Sequence, residues 1–211
     1  MKKYELTSET KIVFGHILYR IKALSSFGYV SAGDLGGFLE SEKNLSQNGN
    51  AWVSGNAWVS GNAEVSGNAE VSGNAWVSGN AEVSGDARVS GDARVYGNAW
   101  VYGNAEVSGN AEVSGNARVY GNAEVSGDAE VSEIGAIFWI GAVGSRNDTA
   151  TFFRCRDGSI KVVCGCFFGN LDEFAKKVRK THGDNDHAKV YMLAIDMAKI
   201  RISTEKEKTE E

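Results

Sequence analysis

The chain has 211 residues, a formal net charge of −5 and a pI of about 5.3. This length allows one or two domains and a sizeable core. The acidic balance excludes a general nucleic-acid binder and a protein that coats anionic membranes. Since no apolar run could span a bilayer and no apolar segment follows Lys2 and Lys3, we expect neither a membrane span nor a secretory signal.

Cysteine usage indicates the compartment. The chain has three cysteines, an odd number, which predicts free thiols rather than a disulfide framework. Without a secretory signal, these thiols are typical of a reducing environment. We therefore expect a cytoplasmic protein.

The segment 1–48 predicts an N-terminal β cap with an irregular lead-in coil. Its pattern predicts three strands, at Lys3–Leu6, at Lys11–Leu24 with a break near Gly15, and at Gly28–Val30. In the stretch AGDLGGFLESEKNLSQ that follows, Leu39 and Leu45 lie six residues apart, as core residues of the next segment do. A cap is needed because a repeat array leaves open strand edges at its ends.

The segment 49–132 consists of fourteen six-residue units of the form G-[ND]-A-x-V-[SY]. Ala and Val lie two positions apart, so on an extended strand they point to the same side. The residue between them is Trp, Glu or Arg in every unit and points to the opposite, solvent side. Gly followed by Asn or Asp supplies a corner, because these residues tolerate left-handed backbone angles. The pattern predicts an all-β solenoid.

Three units per turn give a coil of 18 residues, so the fourteen units form about 4.7 coils. The motif resembles the hexapeptide-repeat superfamily, whose coils form a left-handed parallel β-helix. In that superfamily an aliphatic residue and a small residue two positions earlier fill the prism, as Val53 and Ala51 would here. The left hand follows from this resemblance, and a right-handed solenoid stays open as an alternative. The strict period of six counts against a pentapeptide solenoid.

An 18-residue coil predicts which outward residues stack. Arg88 should lie between two glutamates, Arg94 between Trp76 and Glu112, and Arg118 beyond Trp100. One corner column should stack four asparagines that share amide hydrogen bonds, namely Asn62, Asn80, Asn98 and Asn116.

Outward aromatic residues form a candidate interface or stacking surface. They are Trp52, Trp58, Trp76, Trp100, Tyr96, Tyr102 and Tyr120. Exposed aromatic side chains often mark an interface, or a surface on which a sugar or nucleobase stacks. The same rings could instead stack on each other along the coils without a partner, and the sequence leaves both interpretations open.

The segment 133–204 changes composition and predicts a C-terminal α+β module, followed by a charged tail at 205–211. The stretch SIKVVCGCFFG predicts one strand whose shared face carries Ile160, Val162, Cys164, Cys166 and Phe168. Asn170 and Glu173 resemble a capping box at the start of a helix that Gly183 ends. A last helix should begin at Asp184 or Asp186, with an apolar stripe of Val190, Leu193, Ala194, Met197 and Ile200.

Polar loops in this module supply the candidate ligand-binding residues, which are Arg146, Asn147, Arg154 and His182. Arginine can bind a phosphate or carboxylate, and a helix N-terminus also favours an anion. The same residue types also suit a hairpin turn and a helix cap, so this alternative stays open. Cys164 and Cys166 do not form a recognised zinc pattern with His182 and His187, and we interpret both cysteines as core residues. We expect no catalytic residue, metal or cofactor.

A second resemblance rests on four features taken together: the N-terminal strands, the lead-in coil, the GNA-x-V-[SY] repeats and the C-terminal GCFFGNLDEFAKKVRKTHGDN. With these features, the chain as a whole resembles uncharacterised phage and prophage proteins, some labelled as polymer-forming. That resemblance implies an architecture and no established activity. If a phage encodes the protein, the cytoplasm in which we expect it is the bacterial host cytosol. We expect a non-catalytic, phage-type scaffold or binding protein that sequesters a nucleotide-like or other small anionic ligand or a host protein. Trimers along the prism faces are common in the hexapeptide superfamily, so we expect a homodimer or homotrimer.

Two alternatives belong to other classes. The first is a degenerate acyltransferase, because many hexapeptide-repeat enzymes transfer acyl groups with a histidine base. His16, His182 and His187 all lie outside the coils, which leaves that base without a position. The second is a self-assembling structural protein, which the caps predicted at both ends oppose.

Overall fold

The computed structural model describes residues 2–202, and the charged tail predicted at 205–211 lies outside them. The N-terminal cap contains β1 (Tyr4–Val13), β2 (His16–Ala23) and β3 (Leu35–Leu39). β1 and β2 form an antiparallel hairpin that turns at Phe14 and Gly15, both with positive φ, so the predicted break near Gly15 is confirmed. The predicted separation between Leu6 and Lys11 is wrong, because β1 continues there through a register shift in its pairing with β2. β2 pairs antiparallel with β3, which in turn runs parallel to the first coil.

The predicted strand at Gly28–Val30 is wrong. That segment forms an isolated bridge between Phe27 and Val30, and the third strand is Leu35–Leu39. Glycine weakens a strand by local propensity, but here it is needed. A Cβ at Gly37 would lie 2.5 Å from the Ala57 carbonyl oxygen, so only glycine lets β3 lie this close to the coil.

The repeats form two-residue strands in three parallel sheets. The first sheet continues from β3 through β5 (Trp58–Val59), β8 (Trp76–Val77), β11 (Arg94–Val95), β14 (Glu112–Val113) and β17 (Glu130–Val131). The second sheet contains β4 (Trp52–Val53), β7 (Glu70–Val71), β10 (Arg88–Val89), β13 (Glu106–Val107) and β16 (Glu124–Val125). The third sheet contains β6 (Glu64–Val65), β9 (Glu82–Val83), β12 (Trp100–Val101) and β15 (Arg118–Val119).

Register and burial confirm a parallel β-solenoid with 18 residues per coil. Val53 pairs with Val71 and Val71 with Val89, while the alanines and valines of the repeat are buried. Leu39 and Leu45 extend this core into the lead-in coil, as predicted. The left hand of the helix stays a prediction from the resemblance.

The predicted corner column is confirmed. Each asparagine amide donates to the side-chain oxygen of the asparagine one coil later, at 3.1 Å from Asn62 to Asn80, 3.0 Å from Asn80 to Asn98 and 3.2 Å from Asn98 to Asn116. These side chains therefore tie successive corners together in addition to the backbone ladder.

The C-terminal module is an antiparallel sheet with helices packed on it. Its strands are β18 (Ile137–Val143), β19 (Asp148–Arg154), β20 (Ile160–Cys164) and β21 (Phe167–Asn170), and its helices are α1 (Leu171–His182) and α2 (Asp186–Arg201). The Asn170–Glu173 capping box and the end of α1 at Gly183 are confirmed. Asn185 caps α2, so this helix begins at Asp186. Within residues 2–202, no helix has the length and apolar character to cross a membrane.

Two predictions for this module are wrong. The stretch SIKVVCGCFFG is two strands, since Gly165 takes a positive φ and the chain reverses there, leaving Cys166 and Phe168 exposed. The face of α2 that packs on the module carries Ala188, Tyr191, Ala194, Ile195 and Ala198. Small alanines let the helix approach closely, so the larger members of the predicted stripe point away from the core.

Candidate binding sites

The N-terminal cap covers the first two candidate aromatic residues. Trp52 packs against Tyr4 and Phe27, at ring-centroid distances of 6.4 and 5.5 Å, and Trp58 lies 6.2 Å from Phe14. Both tryptophans are buried, at 3% and 7% exposure, so their predicted exposure is wrong. The sequence could not show this, because the covering residues come from distant parts of the N-terminal cap.

The next aromatic residues continue a ladder along the first sheet. Trp58 and Trp76 stack at 5.1 Å with planes 7° apart, and Trp76 stacks on Tyr96 at 5.5 Å. The Tyr96 hydroxyl donates a hydrogen bond to Glu112. Burial and this carboxylate raise the pKa of Tyr96. Because each of these rings has a partner within the chain, this column is consistent with self-stacking.

A second aromatic column lies on the third sheet near the C-terminal module. Tyr102 and Tyr120 stack at 5.0 Å with planes 8° apart, and Tyr120 meets the edge of Trp139 at 4.3 Å. The Arg118 guanidinium lies 4.9 Å from the centre of the Trp100 ring, which confirms the predicted neighbour. Trp100 and Tyr120 stay exposed, at 42% and 39%. The sequence did not indicate Trp139 as a member of this surface. Its strand is apolar, and it meets the tyrosine column only because the C-terminal module packs on the coils.

A cavity of about 240 Å³ lies within the C-terminal module, and we call it the C-terminal cavity. It brings together two predicted residues, Arg146 and His182, which lie far apart in the sequence. The other polar groups that line it include Asp148, Cys164, Lys177, Thr181 and Tyr191. Sequence reasoning missed Lys177, although Lys177 and Thr181 are four residues apart on α1 and therefore share a face.

Turn and helix geometry set the positions of these side chains. Arg146 follows β18 in a tight turn, and the next residue, Asn147, has a φ of 53°. Asn147 does not line the cavity, so the structure places it in a turn that presents Arg146. His182 ends α1, and its ring centroid lies 5.6 Å from His187 and 5.9 Å from Tyr191.

Two neutral polar groups also line the cavity. The Tyr191 hydroxyl lies 3.6 Å from the Cys164 sulfur. Burial raises the pKa of both groups above the ordinary range, so both stay protonated at neutral pH. A Cβ at Gly144 would collide with the Tyr191 hydroxyl, so glycine is required beneath this ring. The cavity therefore combines the cations Arg146 and Lys177 with one carboxylate, Asp148.

Arg154 lies away from this cavity, at the contact between the module and the last coil. Its guanidinium donates to the Ser132 hydroxyl at 2.9 Å and lies 3.4 Å from the Glu133 carboxylate. The side chain is largely buried, which suits a residue that fastens the module to the solenoid.

Two of the three cysteines line the same cavity as one of the histidines. Cys164, Cys166 and His182 line the same cavity, whereas His187 does not. Among residues 2–202, no group of three or more His, Cys, Asp or Glu is placed to hold a metal ion. Cys166 is exposed rather than a core residue, Cys164 is half-buried, and burial raises the pKa of the buried Cys155.

The coils define a repeat-based parallel β-solenoid protein, and a comparison with protein families agrees. The family model described as YdcK beta solenoid repeat matches residues 81–97, 87–103, 93–109 and 111–127. These matches lie within the regular coils and cover less than half of the chain, so the similarity concerns the solenoid and not the cap or the C-terminal module. No curated protein matches the chain.

Proposed function

We propose that this is a non-catalytic binding protein, in which the solenoid is a rigid scaffold and the C-terminal cavity binds a small anion. The observation that carries the proposal is the convergence of Arg146, Lys177 and His182 on one cavity. Arginine and lysine bind phosphate and carboxylate groups by charge-assisted hydrogen bonds, while the Tyr191 hydroxyl offers a neutral donor. The Asp148 carboxylate offsets one of the positive charges, so an anion with a small negative charge would be favoured.

Coverage of both solenoid ends supports a scaffold over an end-to-end polymer. At the N-terminal end, Lys3 Nζ donates to the Ala51 carbonyl at 2.9 Å, and the Asn44 amide donates to the Ala63 carbonyl at 2.8 Å. At the other end, the Glu124 amide donates to the Thr151 hydroxyl at 3.0 Å. These three backbone groups of the first and last coils, which could pair with another coil, are thus already bonded to the two caps.

A binding role is favoured over acyl transfer by the positions of the histidines. His16 begins β2 and bonds to Glu40 at 2.9 Å, whereas His182 and His187 lie in the helices. In the hexapeptide superfamily that the repeats resemble, the acyl-transfer base is a histidine of the coils. Our proposal retains a cytoplasmic location, because free cysteines suit a reducing compartment. It also retains a phage-type protein that sequesters its ligand, on the ground of the resemblance of the chain to phage proteins.

Isothermal titration calorimetry with inorganic phosphate, acetate and citrate tests the cavity. We expect at least one of these anions to bind, and Arg146→Ala or Lys177→Ala to weaken it about tenfold or more, since a charge-assisted hydrogen bond is lost. Lys180→Ala is the matched control, because Lys180 lies on the same helix but does not line the cavity. If none of the anions binds, or if all three variants bind alike, the proposal fails.

A second candidate role is self-association through α2. Val190, Leu193, Met197 and Ile200 are exposed, at 39%, 63%, 51% and 86%. Their spacing of three, four and three residues is that of the a and d positions of a coiled-coil seam. Such a stripe is self-complementary, so a second copy of the chain is its natural partner.

The oligomeric state tests this second candidate. By light scattering coupled to gel filtration, we expect a dimer that Leu193→Glu converts to a monomer, because the variant places a charge in the seam. Ile12→Glu should leave the dimer intact, since Ile12 is an exposed residue of the hairpin in the N-terminal cap. A monomeric wild-type protein would exclude this assembly.

A further inference from the structure

A cleft of about 310 Å³ lies at the junction between the third sheet and the C-terminal module, and we call it the junction cleft. Its walls include Tyr102, Arg118 and Tyr120 from the coils and Trp139 and Arg201 from the module. In the described part of the chain, the cleft is lined by two arginines and by no carboxylate. It therefore combines aromatic surface with positive charge in a protein whose net charge is −5.

The stacked tyrosines occupy only two of the four coils in their column on the third sheet. The last position of every third repeat unit carries Ser66, Ser84, Tyr102 and Tyr120 in successive coils. Tyr102 is covered by Tyr120 on one side, but the next coil on its other side offers the small Ser84. A second cavity of about 240 Å³ lies there, lined by Glu82, Ser84, Trp100 and Tyr102. Tyr102 thus adjoins two open spaces, each large enough to hold part of a planar ring.

The arginines are positioned from two separate elements. Arg118 lies on the Trp100 ring at 4.9 Å, which orients its guanidinium beside the cleft. Arg88, at the same position of the repeat on another sheet, instead lies 3.6 Å from the Glu106 carboxylate. Arg201 comes from the last turn of α2, so the cleft is complete only when the module is docked on the coils.

We propose that the junction cleft, together with the second cavity beside Tyr102, binds a planar aromatic ring that carries an anionic group, as in a nucleoside monophosphate. The ring would stack on the face of Tyr102 that Tyr120 leaves uncovered, and Arg118 and Arg201 would bind the phosphate in the junction cleft. Base stacking on aromatic side chains with arginines nearby is a general mode of nucleotide binding. The cleft volume matches a small ligand, and the acidic net charge disfavours a long nucleic-acid strand. This site is separate from the C-terminal cavity and does not depend on the anion proposed there.

Titration of the full-length protein with adenosine monophosphate and uridine monophosphate tests the proposal, with tryptophan fluorescence as the readout and calorimetry as its check. Adenosine and inorganic phosphate are the part-ligand probes. We expect at least one monophosphate to bind about tenfold or more tightly than either part, because both stacking and the arginines contribute.

Four variants locate the site. Arg118→Ala and Arg201→Ala should each weaken binding of the monophosphate about tenfold or more, and should leave any binding of adenosine unchanged. Tyr102→Leu should weaken monophosphate and nucleoside alike. Arg94→Ala is the matched control, because Arg94 occupies the same repeat position on the first sheet and should bind as the wild type does. Circular dichroism of each variant shows that the fold is retained.

Several outcomes would overturn the proposal. They are no binding of either monophosphate at millimolar concentration, equal loss in the Arg94 and Arg118 variants, and tighter binding of a ten-nucleotide strand than of the monophosphates. If Arg146→Ala or Lys177→Ala abolishes the binding while Arg118→Ala retains it, the nucleotide occupies the C-terminal cavity and the junction cleft is not its site. The anion titrations with phosphate, acetate and citrate can fail without affecting this result.

Discussion

Close stacking of the glycine corners can be tested by comparing Gly85→Ala with Gly15→Ala. Both glycines have left-handed backbones, with φ of 71° and 84°. Alanine in that region costs roughly 1–2 kcal/mol at either position. At Gly85, however, the new Cβ would lie 2.9 Å from the Gly103 nitrogen and 3.1 Å from its oxygen, whereas nothing lies within 4 Å at Gly15. Favourable carbon contacts lie at about 3.5–4.0 Å, so two successive coils would have to separate locally.

The steric cost should therefore distinguish the two variants. Overpacking of this kind typically costs about 1–3 kcal/mol, so we expect Gly85→Ala to lose roughly 2–5 kcal/mol and Gly15→Ala roughly 1–2 kcal/mol. The free energy of unfolding is measured in urea, with tryptophan fluorescence and circular dichroism monitored together. Gly158→Ala provides a second control, since Gly158 has a φ of 79° and no neighbour within 4 Å. Equal destabilisation of all three variants would refute the stacking argument.

Two further predictions concern stability. Burial lowers the pKa of Lys3 to about 8, so between about pH 8 and 10.5 the unfolded chain binds more protons than the folded one, and stability should rise with pH. In Lys3→Met, the free energy of unfolding should lack this rise with pH. Urea unfolding of the wild type and of the variant at pH 7.5 and pH 10 measures the difference, and an equal change of stability with pH in the two proteins would contradict the prediction. Val89→Ala removes two buried methyl groups from the prism and should cost about 2–3 kcal/mol, against less than 1 kcal/mol for Ile12→Ala in the exposed hairpin. Urea unfolding measures the difference, and similar losses would contradict a close-packed prism.

Most features of the candidate sites depend on contacts between residues that lie far apart in the sequence. The aromatic residues at outward positions were visible from the repeat, and the Trp58–Trp76 stack followed from the 18-residue spacing. That Trp58 is buried while Trp100 is exposed could not be predicted, because a distant hairpin covers one end of the coils. Arg146 and His182 were recognised as separate candidates, but a pattern of residue types does not indicate that their loops meet at one cavity.

Predictions from local sequence were correct where the interactions that determine the structure lie within one short segment. The Asn170–Glu173 capping box and the turn at Gly15 were predicted because hydrogen bonding and backbone freedom act within a few residues. The same rules failed for α2. Its larger apolar residues suggested the buried face, yet close packing on the module selected the alanine-rich face instead.

The sequence by itself determined the solenoid, because each repeat unit contacts the units 18 residues before and after it. Burial of Ala and Val, the glycine corners and the stacked asparagines all follow from that constant separation. Only the tertiary structure decided where β3 lies, which face of α2 stays exposed and which side chains meet at the junction cleft. These depend on contacts between segments with no fixed separation, so their geometry arises from packing and not from any local pattern.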